Sequence, residues 1–311
     1  MNTNLLKPFV VSSANKLILA WFGVEGRDLP WRTTRNPYSI LISEIMLQQT
    51  QVNRVIPFYD RFLELFPNFD SLAKAPLREV IRAWSGLGYN RRAVNLQSIA
   101  QFVVSSLNGE LPRTIECLMK FKGIGPYTAA AICCFAFNGS VPVLDTNTKR
   151  VLSRLIFGLK TPSLNELTSV AYQMLPEDKA WGWNQGLMDL GAMVCLPNEP
   201  KCKLCPVQGI CEASKQRVNG LLEKSKRSNP LHFAGEPFGK SRRYFRGRIL
   251  ALLSQLDDQE TIQITKLGEW LQPGVSADNH PWLLELLRQL GDEGLLMFSN
   301  DSKDVSLPLG S

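Results

Sequence analysis

FKGIGPYTAA, residues 121–130, is a Gly-x-Gly turn that leads into the apolar run AAAICCFAF at 129–137. A helix starting at such a turn presents its first backbone N–H groups outward, and its dipole adds partial positive charge, so an anion is favoured there. Something phosphorylated is expected at this turn. The glycines do not say whether it is a nucleotide, a cofactor or a nucleic-acid backbone. Nor do they explain why Tyr127 follows them so closely, so the rest of the chain has to decide.

On both sides of the turn, from residue 11 to about 215, apolar residues recur at three- and four-residue spacing between short Pro, Gly and Asn turns, and strand alternation is nearly absent. The periodicity predicts one helix over 38–56 (YSILISEIMLQQTQVNRVI), then PFYDRFLELF, SLAKAPLREVIRAWSGLGY and RRAVNLQSIAQFVVSSL. The opening turn and its helix come next, then a helix beginning near Asp145 (DTNTKRVLSRLIF) and one running through WNQGLMDLGAMV. From Lys215 to Arg248 ten Lys and Arg face only Glu223 and Glu236, which reads as a basic linker running into a basic helix. The remainder reads helix, helix, helix and then short alternating residues, the pattern of a small winged helix. From Ala251 onward it carries ten Asp and Glu against Lys266, Arg288 and Lys303, a balance that disfavours phosphate contact by this piece.

The chain has 311 residues, 44% apolar and 20% charged, which is enough for a substantial core in one large or two to three modest domains. No window is long and apolar enough for a membrane helix, and KLILAWF is too short for a signal peptide and lacks a cleavage site, so a cytoplasmic location is expected. A formal charge of +7 and a pI near 9.1 point weakly toward a polyanionic partner.

Seven cysteines do not form a disulfide set. Cys117, Cys133 and Cys134 lie in apolar helical stretches and read as core thiols. Cys195, Cys202, Cys205 and Cys211 crowd into CLPNEPKCKLCPVQGIC at spacings x6, x2 and x5, which let four thiolates converge on one centre. Spacing alone fits a structural zinc or a [4Fe–4S] cluster equally well.

LPWR, SEIMLQQTQV, GLGYNRRAVNL, GIGPYTAAAI, LDTNTKRVLSR, NQGLMDLGA and the four cysteines follow one another over residues 29–211. In that order they resemble the helix-hairpin-helix DNA glycosylases with an iron–sulfur cluster, specifically the A/G-specific adenine DNA glycosylases, over about two thirds of the chain. The resemblance favours [4Fe–4S] as the cofactor and implies an all-α fold of two helical lobes that grip DNA between them, with the first helix packed on the cluster lobe. Expected boundaries are a cluster lobe at 1–30 and 141–215, a six-helix lobe with the hairpin at 31–140, a basic linker at 216–240 and a winged-helix-like domain at 241–311. That last domain stands where the family usually carries a Nudix-like one. The chain's only histidines, His232 in the linker and His280 in that domain, occur in LHFAG and DNHPW, and neither follows Phe-Ser as in the family's lesion-reading loop.

The resemblance also assigns roles. Backbone N–H groups at Gly123, Gly125 and Tyr127 would hold one DNA phosphate, often with a bound cation, glycine allowing the close approach. Tyr127 stands where the related endonuclease III enzymes place a Schiff-base lysine. Tyrosine cannot form an imine, and Lys122 precedes the turn, so no strong strand cutting is expected. Glu44, on a largely apolar helix face, would be the acid that protonates adenine, since burial favours a neutral carboxyl. Asp145 would stay ionised and stabilise the sugar cation, oriented with Asn147 and Tyr127. Read without the resemblance, Glu44 is a solvated helix carboxylate and Asp145 a plain helix cap. Gln48, Gln49 and Tyr89 match residues that wedge into the duplex and hold the orphan base; Trp31, Arg32 and Gln185 match residues around the flipped adenine. Lys201 and Lys203 would meet phosphate or simply be solvated. Thr146 replaces a usual glycine, and Asn90 a frequent second tyrosine.

The expected substrate is double-stranded DNA with adenine mispaired with 8-oxoguanine or guanine, handled by a monomer. One rival is a mismatch thymine or uracil glycosylase, which shares Tyr127 and Asp145 but fits Glu44 and the paired glutamines less well. Another is a non-catalytic damage sensor that uses the cluster as a redox reporter; the presence of both carboxylates argues against it.

Overall fold

The computed structural model of the protein describes residues 6–218, 241–257, 260–272 and 281–308. The first helices are α1 (Pro8–Glu25), α2 (Pro37–Leu47), α3 (Val52–Leu65), α4 (Phe69–Lys74), α5 (Leu77–Trp84) and α6 (Arg91–Ser106). There follow α7 (Ile115–Leu118), α8 (Pro126–Phe137), α9 (Thr146–Leu152), α10 (Leu164–Met174), α11 (Ala180–Met193) and α12 (Glu212–Val218). The C-terminal part holds α13 (Arg242–Leu253), β1 (Ile262–Gln263), α14 (Ile264–Leu271), α15 (Pro281–Asp292), β2 (Met297–Phe298) and β3 (Asp304–Ser306). Residues 219–240, most of the expected linker, lie outside the described residues. Among the described residues no helix is long and apolar enough to cross a membrane.

The helix starts follow local chemistry. Asn68 with Ser71, and Ser163 with Glu166, close capping boxes at α4 and α10. Asp145 and Ser241 cap α9 and α13 by accepting the N–H groups of Thr148 and Tyr244. The helix expected over 38–56 is in fact two, α2 and α3, because Gln49 adopts a left-handed φ of 56° that an α-helix cannot contain. The apolar periodicity runs through this break unchanged, so spacing alone hides it.

The chain divides into two compact units. The first comprises residues 1–40, 112–120 and 124–226. Its core joins Ala14 and Ile18 of α1 to Trp183, Leu187 and Leu190 of α11 and to Val151 and Leu155, so the first helix does pack beside the cysteine-bearing segment. A Cβ at Gly186 would stand 3.0 Å from Ile18, so glycine is what allows α1 and α11 to approach so closely. Each fully buried Ile or Leu here contributes about 1.5–3 kcal/mol relative to exposure.

The second unit comprises residues 41–111, 121–123 and 227–311. α3 buries Val55, Tyr59 and Phe62 along one stripe, and Phe62 meets Trp84 edge to face at 5.8 Å. In the C-terminal module β1, β3 and β2 form an antiparallel sheet in that order, with Ile262 opposite Val305 and Met297 opposite Ser306. Three helices and a small sheet agree with the winged-helix expectation. Phe245, Ile249, Leu253, Leu267, Leu283 and Leu287 form its core, which Ile81 of α5 joins.

Candidate functional site

In the second unit, α2 carries Glu44, only 4% exposed, among Leu41, Ile42, Ser43, Ile45 and Met46, all buried. The solvated-carboxylate reading therefore does not hold. α2 ends three residues later, where its last carbonyls need partners. Arg92 supplies them: its Nη1 donates to the carbonyls of Ile45 at 2.9 Å, Met46 at 2.9 Å and Gln48 at 2.6 Å. Nη2 donates to Gly88 O at 2.8 Å and Thr50 Oγ1 at 3.2 Å, and Nε to Tyr89 O at 3.3 Å. Burial pulls this guanidinium down to about 10, the neighbouring Tyr89 acting the other way, so it stays charged near neutrality. One buried cation thus fixes two turns together, the one bearing Gln48 and Gln49 and the one bearing Tyr89. Gln48, Gln49 and Tyr89 line one cavity of about 890 Å³. Tyr89, with φ of 50° and 41% exposed, is a non-glycine residue in the left-handed region, presented to solvent.

The hairpin glycines differ from each other. Gly123, whose carbonyl accepts from Gln48 Nε2 at 3.0 Å, has a φ of +93° that only glycine adopts freely. Gly125 has φ −93° and nothing within 4 Å of a Cβ position, so the chain itself does not require glycine there. It is the N-cap of α8, with Pro126 at the first helical position, and the helix behind it is buried from Thr128 to Ala136. Tyr127 is half-buried on the first turn.

In the first unit, Asp145 is indeed the N-cap of α9, its Oδ1 accepting from Thr148 N at 2.6 Å. The cap pins the carboxylate without excluding a second role for it. Thr146 is exposed, and its φ is not among the positive values, so the position accepts threonine without strain. Asn147 Oδ1 accepts from Arg150 Nη2 at 2.7 Å, and Arg150 also donates to Gly191 O and Cys195 O, both at 2.8 Å. Trp31 and Gln185 are buried. Arg32 Nε donates to Gln185 Oε1 at 2.7 Å, while its two Nη groups grip Asp189 at 2.7 and 2.9 Å. Arg27 Nε reaches the same carboxylate at 2.7 Å. Burial pushes Asp189 upward, but Arg32 and Arg27 outweigh it and hold the carboxyl below its ordinary range.

Cys195, Cys202, Cys205 and Cys211 line one small cavity of about 30 Å³, closed by Val194, Pro200 and Ala213. Among the described residues no three His, Cys, Asp or Glu side chains are placed to hold one metal ion. Burial, reinforced by Cys195, Cys211 and Cys202, pushes the Cys205 thiol up to about 12, against a Val207 N–H that lowers it. Burial pushes the Cys211 thiol up as well, so these two sulfurs need a cationic group to become thiolates. Arg154 Nη1 stands 3.5 Å from Cys195 Sγ. The donor set suits a group bound through four thiolates. Lys201 and Lys203 are exposed on this loop.

Sequence reasoning passed over Arg92, Asp189 and Arg150. Each lies inside a quoted motif, but its partners stand tens of residues away in the chain, where spacing gives no signal.

Residues 42–172 match the family described as HhH-GPD superfamily base excision DNA repair protein. The chain is 41% identical over 225 residues to an adenine DNA glycosylase of Mus musculus, covering 68% of this chain and 44% of that protein. It is 39% identical over 218 residues to an adenine DNA glycosylase of Buchnera aphidicola, covering 69% and 62% respectively. It thus spans about half the length of the relatives it matches. A solved structure of a thermostable thymine-DNA glycosylase is similar with a TM-score of 0.63 and 32% identity, over 67% of this chain and 98% of that one. By motif, fold and likeness, the chain belongs to the HhH-GPD superfamily of base excision DNA repair proteins.

Proposed function

We propose that the protein is a monofunctional DNA glycosylase that removes adenine mispaired with 8-oxoguanine or guanine from double-stranded DNA. Glu44 carries this reading: its carboxyl is buried on an apolar helix face, and adenine leaves only when its ring is protonated. The curated relatives at about 40% identity are adenine glycosylases, which supports the same substrate.

In this mechanism Glu44 donates its proton to N7 of the flipped adenine as the glycosidic bond breaks. Asp145, its orientation fixed by the Thr148 N–H, stabilises the oxocarbenium-like sugar. Asn147 is oriented by Arg150 beside it. Water completes the reaction, since Tyr127 cannot form an imine and the abasic product is released with both strands intact. Arg32, clamped by Asp189, holds Gln185, and Trp31 supplies an apolar wall for the base. Cys195, Cys202, Cys205 and Cys211 would hold a [4Fe–4S] cluster, which when bound cross-links the loop and carries no step of hydrolysis.

The thymine glycosylase likeness favours a second reading, mismatch thymine or uracil removal. Single-turnover assays on duplexes with A opposite 8-oxoguanine, A opposite G, and T or U opposite G separate the two. Release of adenine alone is expected. Release of thymine or uracil without adenine contradicts the proposal.

A further inference from the structure

The wall of the cavity opposite Gln48, Gln49 and Tyr89 is built by α13 of the C-terminal module, within the same compact unit. α13 is packed there. Phe245, Ile249, Leu250 and Leu253 share one core with Ile81 of α5, and Leu77 and Val94 pack against that core. Arg243, Arg246 and Arg248 of this helix are among the residues that line the cavity. These arginines close the basic Lys215–Arg248 segment, and from Ala251 onward the chain is acidic.

The arginines around the cavity are not equivalent. Arg92 is occupied by carbonyl groups, Arg54 donates to Gly86 O, and Arg246 pairs at 2.5 Å with Glu293, the one acid among the cavity's lining residues. Arg91, Arg243 and Arg248 are exposed, and among the described residues none of the three enters an ion pair, Arg248 donating from one Nη to Trp270 O at 3.4 Å. The Arg243 Cζ lies 4.6 Å from the centre of the Tyr89 ring. A guanidinium resting on a ring through its face keeps its in-plane N–H donors, and that fork matches phosphate. Space is also available: nothing stands within 4 Å of a Cβ position at Gly88 or Gly247, both in the lining.

We propose that α13 is a second phosphate-binding wall: Arg243 and Arg248, together with Arg91, take phosphodiester oxygens of the DNA whose bases meet Gln48, Gln49 and Tyr89. This inference rests on the glycosylase reading and narrows the charge of the basic Lys215–Arg248 segment to named residues of α13. The charge that matters is concentrated on one helix.

The test is the salt dependence of affinity of the full chain for a duplex with 2′-fluoro-2′-deoxyadenosine opposite 8-oxoguanine. Each lost phosphate contact lowers the slope of log affinity against log salt by about 0.9. The Arg243→Gln/Arg248→Gln variant should therefore show a slope shallower by about 1.8. Arg288→Gln, exposed on α15 and outside the cavity lining, removes a charge from the same module and should leave the slope as it was. Arg248→Gln alone, expected to lose about 0.9, serves if the double variant melts too low. An unchanged slope in a folded variant overturns the proposal, as does an equal fall in Arg288→Gln. A wild-type protein that neither binds this duplex nor releases adenine from a cleavable one removes the glycosylase reading as well. Wild-type excision with an unchanged variant slope removes only the α13 wall.

Discussion

Arg92→Lys keeps a positive charge where α2 ends and removes the planar fork. Arg92 donates to six acceptors: the carbonyls of Ile45, Met46, Gln48, Gly88 and Tyr89, and Thr50 Oγ1. The guanidinium shares five N–H donors among these six and a lysine ammonium has three, so with one acceptor to each N–H three of these hydrogen bonds are lost. At about 1 kcal/mol each, the variant should be less stable by about 3 kcal/mol. Loss of the stacking on Trp84, at 5.3 Å from the ring centre, adds to this. In a compact unit of this size each kcal/mol lowers the melting temperature by about 2–4 °C, so a fall of about 6–12 °C is expected by calorimetry. Urea unfolding followed by tryptophan fluorescence should give the same loss at unchanged slope. A loss under about 1 kcal/mol would refute the reasoning, because it would mean that water satisfies these carbonyls as well as the fork does.

Asp189→Asn leaves Arg27 and Arg32 without their carboxylate and should cost about 3–5 kcal/mol near neutral pH. Because the folded-state pKa of Asp189 is lowered, its contribution is complete above the unfolded value of about 3.9 and is lost as pH falls through the folded one. The gap between wild type and variant should therefore close below about pH 4, as acid-unfolding curves will show. Gly125→Ala meets no atom of the chain, so its melting temperature should stay within about 2 °C while affinity for duplex DNA falls at least about tenfold; retained affinity would remove the phosphate from this turn. Purified protein should contain iron and acid-labile sulfide in equal amounts, and Cys202→Ser should lose both together with the order of its loop; a colourless protein holding zinc would contradict the cluster.

The parts of the fold that depend on local chemistry were legible in the sequence. The Gly-x-Gly turn announced the start of α8, the spacing of four cysteines announced one shared cavity, and the periodicity after residue 250 announced a small winged helix. The break at Gln49 was not legible, since no glycine or proline marks it and the apolar spacing continues through it. What holds that turn is Arg92, more than forty residues away and reaching back to carbonyl groups. Asp189 was equally hidden, because a buried carboxylate is informative only once Arg27 and Arg32 are seen beside it. The arginines of α13 were readable as a basic helix at the end of the Lys215–Arg248 segment; what composition could not show is that they line the same cavity as Tyr89. Glu44 lay between these cases. Its apolar neighbours on the helix were readable, and its burial followed.

The most direct test of the account is the single-turnover rate of adenine release by Glu44→Gln from a duplex with adenine opposite 8-oxoguanine, set against its affinity for the same duplex. The amide keeps the shape of the carboxyl and has no acidic proton to give. The account predicts a rate lower by about 10²–10⁴ with affinity within about threefold of wild type. Release at about a tenth of the wild-type rate or faster would show that the proton comes from elsewhere and contradict the central assignment.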